Sequence, residues 1–128
     1  MAKILIVDDE APVREIAALI LVEAGHTVRC ANHGRRALEL IAEDLPDLVL
    51  SDIMMPVLDG AELCRRLKAR EETRSIPVIL MSAAGPMAAD RAGADAFLDK
   101  PFDLDELEGL VARMLARRAT SQAEPPAR

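Results

Sequence analysis

The sequence predicts an α/β fold, a doubly wound parallel sheet of five strands with helices on both faces. Short, continuous runs of branched apolar residues recur along the chain, as in strands buried on both faces. Stretches with apolar residues at helical spacing separate them, and that alternation implies right-handed crossovers between parallel strands. The length, 128 residues, suits one domain with one core.

The first strand is Ile4-Leu5-Ile6-Val7. A helix over 12–24 follows, with Pro12 where it begins, Gly25 where it ends, and Val13, Ile16, Ala17, Ile20 and Leu21 turned inward. A second strand covers 27–31. A second helix covers 34–44, with Ala37, Leu38, Ile41 and Ala42 facing the core. Leu48-Val49-Leu50 is the third strand, and the third helix covers 61–69, opening near Asp59 or Gly60. Pro77-Val78-Ile79-Leu80-Met81 is a strand with its proline in first place, where the missing N–H is tolerated. A short helical stretch over 87–92 leads to the last strand, Ala96-Phe97-Leu98. The last helix runs from Asp103 to about Arg118, with Leu104, Leu107, Leu110, Val111, Met114 and Leu115 on one face. Residues 119–128, ATSQAEPPAR, lack apolar periodicity and read as a disordered tail or linker beyond a domain spanning 1–118.

Apolar residues make up 51% of the chain, and Phe97 and Phe102 are its only aromatics, so the core must be aliphatic. The formal net charge of -6 argues against a direct grip on nucleic acid, which takes a basic face. The longest apolar run, 16–22, falls far below the ~20 residues that span a bilayer. The amino-terminal run is too short for a signal peptide. Cys30 and Cys64 have no metal-like spacing and read as reduced thiols. The expectation is a cytoplasmic protein with no membrane insertion.

In such sheets ligands sit outside the carboxyl ends of the strands. There the sequence places Asp8, Asp9 and Glu10 after the first strand, Asp52 after the third, Ser82 after the fourth and Lys100 after the fifth. Asp8, Asp9 and Asp52 brought together repel one another unless a cation joins them. A hard divalent cation with a preference for oxygen resolves this, Mg2+ by default. Lys100 adds a point charge for a phosphate oxygen, and Ser82 adds a hydroxyl. Asp52 is then a carboxylate nucleophile facing a phosphoryl group. Simpler roles fit other residues. Glu10 flanks the site, His26 and His33 lie on the surface, and Arg35-Arg36, Arg65-Arg66 and Arg117-Arg118 are solvated helix faces.

From residue 3 to about 118 the chain resembles the receiver domain of bacterial two-component response regulators. The matching pieces are Asp8-Asp9, Ser51-Asp52-Ile53-Met54-Met55-Pro56 with Asp59-Gly60, Ser82-Ala83, Ala92-Gly93-Ala94-Asp95 and Lys100-Pro101-Phe102. The resemblance implies the flavodoxin-like strand order 2-1-3-4-5 and a phosphorylation-dependent switch rather than an enzyme with an external substrate. Asp52 would be the phosphoacceptor, served by a histidine kinase or a histidine phosphotransfer protein. Asp9, Asp52 and the Met54 backbone carbonyl would ligate Mg2+, with Asp8 acting through a metal-bound water. Lys100 and Ser82 would contact the phosphoryl group. Ser82 and Phe97 would form the switch pair, and Lys100–Pro101 would be a cis peptide.

The chain departs from that family in one region. The spacing from Ser82 to Gly93 is shorter than usual by about four residues, roughly one helical turn. The fourth helix should therefore be short or irregular, which leaves the output face harder to transfer than the pocket. Met54 and Ala84, two residues beyond Asp52 and Ser82, hold no group that could activate water, so self-dephosphorylation should be slow. A stand-alone receiver with an unidentified protein target is the first expectation. The alternatives are a receiver cut from a longer regulator with an output domain, and a Mg2+-dependent aspartyl-phosphate phosphohydrolase. The phosphohydrolase fits poorly, because such enzymes carry Asp-x-Asp after the first strand and this chain has Asp8-Asp9-Glu10.

Overall fold

In the computed structural model, which describes residues 2–85 and 92–123 with side chains through Arg118, five strands form one parallel sheet. They are β1 (Lys3–Val7), β2 (Thr27–Ala31), β3 (Leu48–Asp52), β4 (Val78–Ser82) and β5 (Ala96–Asp99), in the order β2-β1-β3-β4-β5. The register pairs Val7 with Ala31 and Ser51, Asp52 with Met81, and Ser82 with Asp99, so the carboxyl ends meet at one edge. The helices are α1 (Ala11–Glu23), α2 (Gly34–Glu43), α3 (Gly60–Ala69) and α4 (Leu104–Ala123). Apart from Ala92, the short helical stretch expected over 87–92 lies outside the described residues.

Strand side chains alternate between two aliphatic layers, which explains the unbroken apolar runs. Leu5, Val7, Val49, Val78 and Leu80 pack with Ala37 and Ile41 of α2 and Leu63 and Leu67 of α3. Ile4, Ile6, Leu48, Leu50, Ile79 and Met81 pack with Ala17 and Leu21 of α1 and Leu107, Val111 and Met114 of α4. Each fully buried Leu or Ile contributes on the order of 2 kcal/mol.

Local chemistry fixes the helix starts. Asp59 caps α3, its Oδ1 accepting from Glu62 N at 2.8 Å. His33 caps α2, its Nδ1 accepting from Arg36 N at 3.1 Å. His26 Nδ1 accepts from Ala2 N at 3.3 Å. Both histidines are half-buried acceptors of backbone N–H groups, not the plain surface residues their sequence context suggests.

The inward faces differ in places from the periodicity. On α1, Ala17 and Leu21 are buried while Ile16, Leu19 and Val22 are more than half exposed, because an almost unbroken apolar run cannot say which stripe faces in. On α2, Leu40 is buried in place of Ala42. The last helix continues to Ala123, so the disordered tail expected from residue 119 is corrected there. Ala119, Thr120, Ser121 and Gln122 offer no breaker, and once nucleated a helix propagates through such residues until the first proline, Pro125, approaches.

The amino-terminal edge of the sheet is pinned by two charged side chains. Lys68 Nζ donates to Ile76 O at 2.9 Å and to Asp95 Oδ2 at 2.6 Å. The same Asp95 oxygen accepts from Val78 N at 2.7 Å. Arg118 Nη1 pairs with Asp47 Oδ1 at 2.9 Å and is only 18% exposed, so Arg118 is not part of a solvated helix face.

Candidate functional site

Asp8 continues β1 by donating its N–H to Ala31 O at 3.1 Å, and its side chain is fully buried. Oδ1 accepts from Glu10 N at 2.9 Å and Oδ2 from Lys100 Nζ at 3.0 Å. Arg14, one helical turn into α1, donates from Nη1 to Asp8 O at 2.7 Å. A buried carboxylate held at both oxygens cannot turn freely, so Asp8 is a fixed negative charge at the sheet edge.

Asp52 is the last residue of β3 and is 4% exposed. Its Oδ1 lies 3.3 Å from Lys100 Nζ, and its carboxylate also accepts from the Met54 N–H. The backbone around it is locked. Ile53 N donates to Met81 O at 2.9 Å, Gly60 N to Ile53 O at 2.9 Å, and Ser51 Oγ to Asp52 O at 3.0 Å. The intervening loop turns tightly at Val57, whose φ is 71°, a left-handed conformation that β-branched residues rarely adopt.

Lys100 is the hub. Its Nζ reaches Asp8, Asp52 and, at 3.5 Å, Glu10 Oε1. Burial alone would lower its pKa, but the hydrogen bonds to and charges of Asp8 and Asp52 outweigh that and raise it. For Asp52 burial dominates and raises the pKa. Lys100 opposes that shift and Asp8 adds to it. The peptide Lys100–Pro101 is cis. Ser82 ends β4, 3% exposed, with its Oγ accepting from Ala84 N at 2.9 Å and its carbonyl from Lys100 N at 3.1 Å.

Among the described residues one carboxylate group could hold a metal ion, with oxygens of Asp8, Glu10 and Asp52 all within 4.8 Å of one another. Three carboxylates against a single ammonium leave an excess of negative charge in a mostly buried pocket. That donor set of hard oxygens fits a divalent cation such as Mg2+. The sequence-derived set is thus brought together for Asp8, Asp52, Lys100 and Ser82. Asp9 is exposed and lies outside the carboxylate group, whereas Glu10, read from sequence as a flanking residue, lies inside it. Met54 sits at the mouth, 70% exposed, and Phe97 is half-buried against the layer of α2 and α3. Arg14 had no motif to reveal it. Its only sequence signal is its place one helical turn beyond Glu10.

Comparison with known proteins identifies the family. Residues 4–112 match the family described as response regulator receiver domain. The response regulator MprA of Mycolicibacterium vanbaalenii is 44% identical over 92% of this chain and 52% of its own length. The phosphate regulon transcriptional regulatory protein PhoB of Pseudomonas aeruginosa is 40% identical over 96% of this chain and 56% of its own length. The chain therefore spans about half the length of these curated relatives. Among solved structures, the chemotaxis response regulator CheY4 of Vibrio cholerae superposes with a TM-score of 0.84, at 30% identity, over 89% of this chain and 98% of that one. The signal receiver domain of a signal transduction histidine kinase from Syntrophus aciditrophicus gives a TM-score of 0.87 at 35% identity, covering 100% of this chain and 98% of that one. Sheet order, acidic pocket and these matches together place the chain in the response regulator receiver domain family of two-component signalling.

Proposed function

We propose that this receiver is a phosphorylation-dependent switch in which Asp52 accepts a phosphoryl group from the phosphohistidine of a histidine kinase or phosphotransfer protein. The observation that carries the reading is the position of the Asp52 carboxylate, nearly buried and 3.3 Å from Lys100 Nζ, with Asp8 fixed beside the same ammonium. An Asp52 oxygen attacks phosphorus, the nitrogen–phosphorus bond breaks, and its electron pair stays on the imidazole. Lys100 pairs with a phosphoryl oxygen as negative charge moves from the carboxylate outward. Bound Mg2+ supplies charge neutralisation for the attacking carboxylate and the incoming phosphoryl oxygens. By resemblance, Asp9, Asp52 and the Met54 carbonyl would hold it, with Asp8 acting through a bound water.

Ser82 links chemistry to shape. Its hydroxyl oxygen holds the Ala84 N–H at 2.9 Å, so donating the hydroxyl proton to a phosphoryl oxygen acts on the backbone at Ala84. Phe97, half-buried on β5, is the aromatic whose burial would follow. The readout is a changed protein-binding surface, with no direct contact to nucleic acid by this domain. No described helix is long and apolar enough to cross a membrane, and a cytoplasmic setting fits the kinase donor. Receivers of this length occur both alone and within longer regulators. The chain covers 98% of the solved CheY4 chain and 52% of MprA. Met54 and Ala84 carry no group to activate water, so the phosphorylated state should persist well beyond seconds without a partner.

Intact-mass spectrometry after incubation with acetyl phosphate and Mg2+ tests the assignment. One added phosphoryl mass in the wild type, absent in Asp52→Asn and lost with EDTA, supports it. Failure of the wild type to gain that mass, both there and from a phosphorylated histidine kinase, rejects it.

A further inference from the structure

Arginines gather at the edge of the sheet opposite Asp52, in a chain of net charge -6. Between the entries to β4 and β5 and the later turns of α4 lies a cleft of about 290 Å3. Arg74 and Ser75 line it from the α3–β4 connection, and Met114, Arg117 and Arg118 line it from α4. The carboxyl-edge pocket stands one strand length away, roughly 15 Å for five residues of β structure.

The charges in the cleft are unevenly matched. Asp95 also lines it, but its Oδ2 is already taken by Lys68 Nζ at 2.6 Å and Val78 N at 2.7 Å. Arg118 is paired through Nη1 with Asp47, yet its Nε is buried and donates to nothing among the described residues. Among the described residues Arg117 Nη1 has only the Met114 thioether, at 3.9 Å. Neither Arg74 nor Arg117 forms an ion pair among the described residues. Guanidiniums lining one cleft without a carboxylate partner leave positive charge there, which an anion would neutralise.

We propose that this cleft binds a phosphomonoester dianion, with the Arg74, Arg117 and Arg118 guanidiniums on the phosphate oxygens and the Ser75 hydroxyl as a further donor. Guanidinium forks match phosphate oxygens in pairs, and three of them around one small cleft exceed what a single carboxylate would need. The cleft volume, at the low end for ligand sites, fits a phosphate with a small body lying on Met114 and Pro77. The site is independent of Asp52 phosphorylation and would be a second point at which a phosphorylated metabolite is sensed.

The test is titration of the 15N-labelled full chain with AMP, inorganic phosphate and adenosine, in EDTA, for wild type and Asp52→Asn. The expected result is saturable shifts of the Ser75 and Asp95 amides by AMP in both proteins, with Kd at or below about 1 mM. Adenosine should cause none. Inorganic phosphate shifting the same amides would assign the affinity to the phosphate itself, and a tighter AMP response would assign a share to the body. Arg74→Gln and Arg117→Gln, both at exposed positions, should each weaken AMP binding about tenfold while leaving the far-UV spectrum intact. Absence of saturation by about 10 mM overturns the proposal. So does equal binding by adenosine, loss of binding in Asp52→Asn, or undiminished binding in the double arginine variant.

Discussion

Replacing Gly60 by alanine sets two physical effects against each other. Gly60 opens α3, and by helix propensity alone alanine should stabilise it, by less than the ~1 kcal/mol seen in helix interiors. The packing says the opposite. A Cβ there would fall onto the Asp52 carbonyl oxygen, 2.9 Å from the Asp52 carbonyl carbon and 3.0 Å from Ile53 Cα. These are backbone atoms, and they cannot retreat. Asp52 is paired in the ladder with Met81, and Ile53 N is bonded to Met81 O. Overpacking against such a wall costs about 1–3 kcal/mol, so the net loss should be about 2 kcal/mol. That corresponds to a fall in Tm of roughly 8 °C for a chain of this size. Gly109 in α4 is the control, since its Cβ would meet only the flexible Arg113 Nη1, at 3.6 Å. Gly109→Ala should stabilise by up to ~1 kcal/mol. Urea unfolding followed by far-UV circular dichroism suits a chain without Trp or Tyr. If Gly60→Ala unfolds at the same or higher urea concentration than wild type, the close approach of α3 to the Asp52 backbone is wrong. A second readout is the rate of labelling by acetyl phosphate, which should fall in Gly60→Ala and hold in Gly109→Ala.

Other perturbations follow from the same geometry. Burial pushes the Cys64 thiol up to about 11 from an ordinary 9.0, so between those values the unfolded thiol ionises while the folded one does not. That contribution to stability is full below pH 9.0 and is lost on rising to about 11. The wild type should therefore lose more stability over that window than Cys64→Ala, and parallel curves would contradict it. With a thiol-selective disulfide reagent, the exposed Cys30 should react in the native state and Cys64 only on unfolding, which Cys30→Ser would isolate. Lys68→Met deletes the ammonium bonded to Ile76 O and Asp95 and should cost about 2 kcal/mol in urea unfolding. A loss within a few tenths would show the strut to be dispensable. Mg2+ at tenfold excess over its Kd should stabilise the wild type by about 1.4 kcal/mol. Asp9→Asn and Asp52→Asn should remove that gain and Glu10→Gln should keep most of it. Loss of the gain in Glu10→Gln with its retention in Asp9→Asn would instead favour the carboxylate group of Asp8, Glu10 and Asp52 as the metal ligands.

The legible parts of this molecule are those where one physical rule acts alone. Ile4-Leu5-Ile6-Val7 is apolar on both faces because the sheet is covered on both faces, and the pattern admits no other strand type. Asp52 and Lys100 announce themselves because charges at strand ends need partners. The face of α1 was not legible, since Ile16, Leu19 and Val22 are as apolar as Ala17 and Leu21, and tertiary packing alone chose. Nor was the exchange of Glu10 for Asp9 in the carboxylate group, because a backbone turn after β1 decides which acid points in. The end of α4 was misread because lack of apolar periodicity says that a helix is uncovered, not that it stops. Arg118 was misread for a related reason. An Arg-Arg pair looks solvated until a distant acid, Asp47, is folded against it.

The bonds that Asp95 makes to Val78 N and Lys68 set the amino-terminal end of β5 before its first ladder pair, and Lys100 N on Ser82 O sets the other end. Strand β5 is thus docked at both ends by bonds from the residues that flank it. The register of Leu80 on Phe97 and the place of Lys100 in the pocket are thereby held from both ends of the strand.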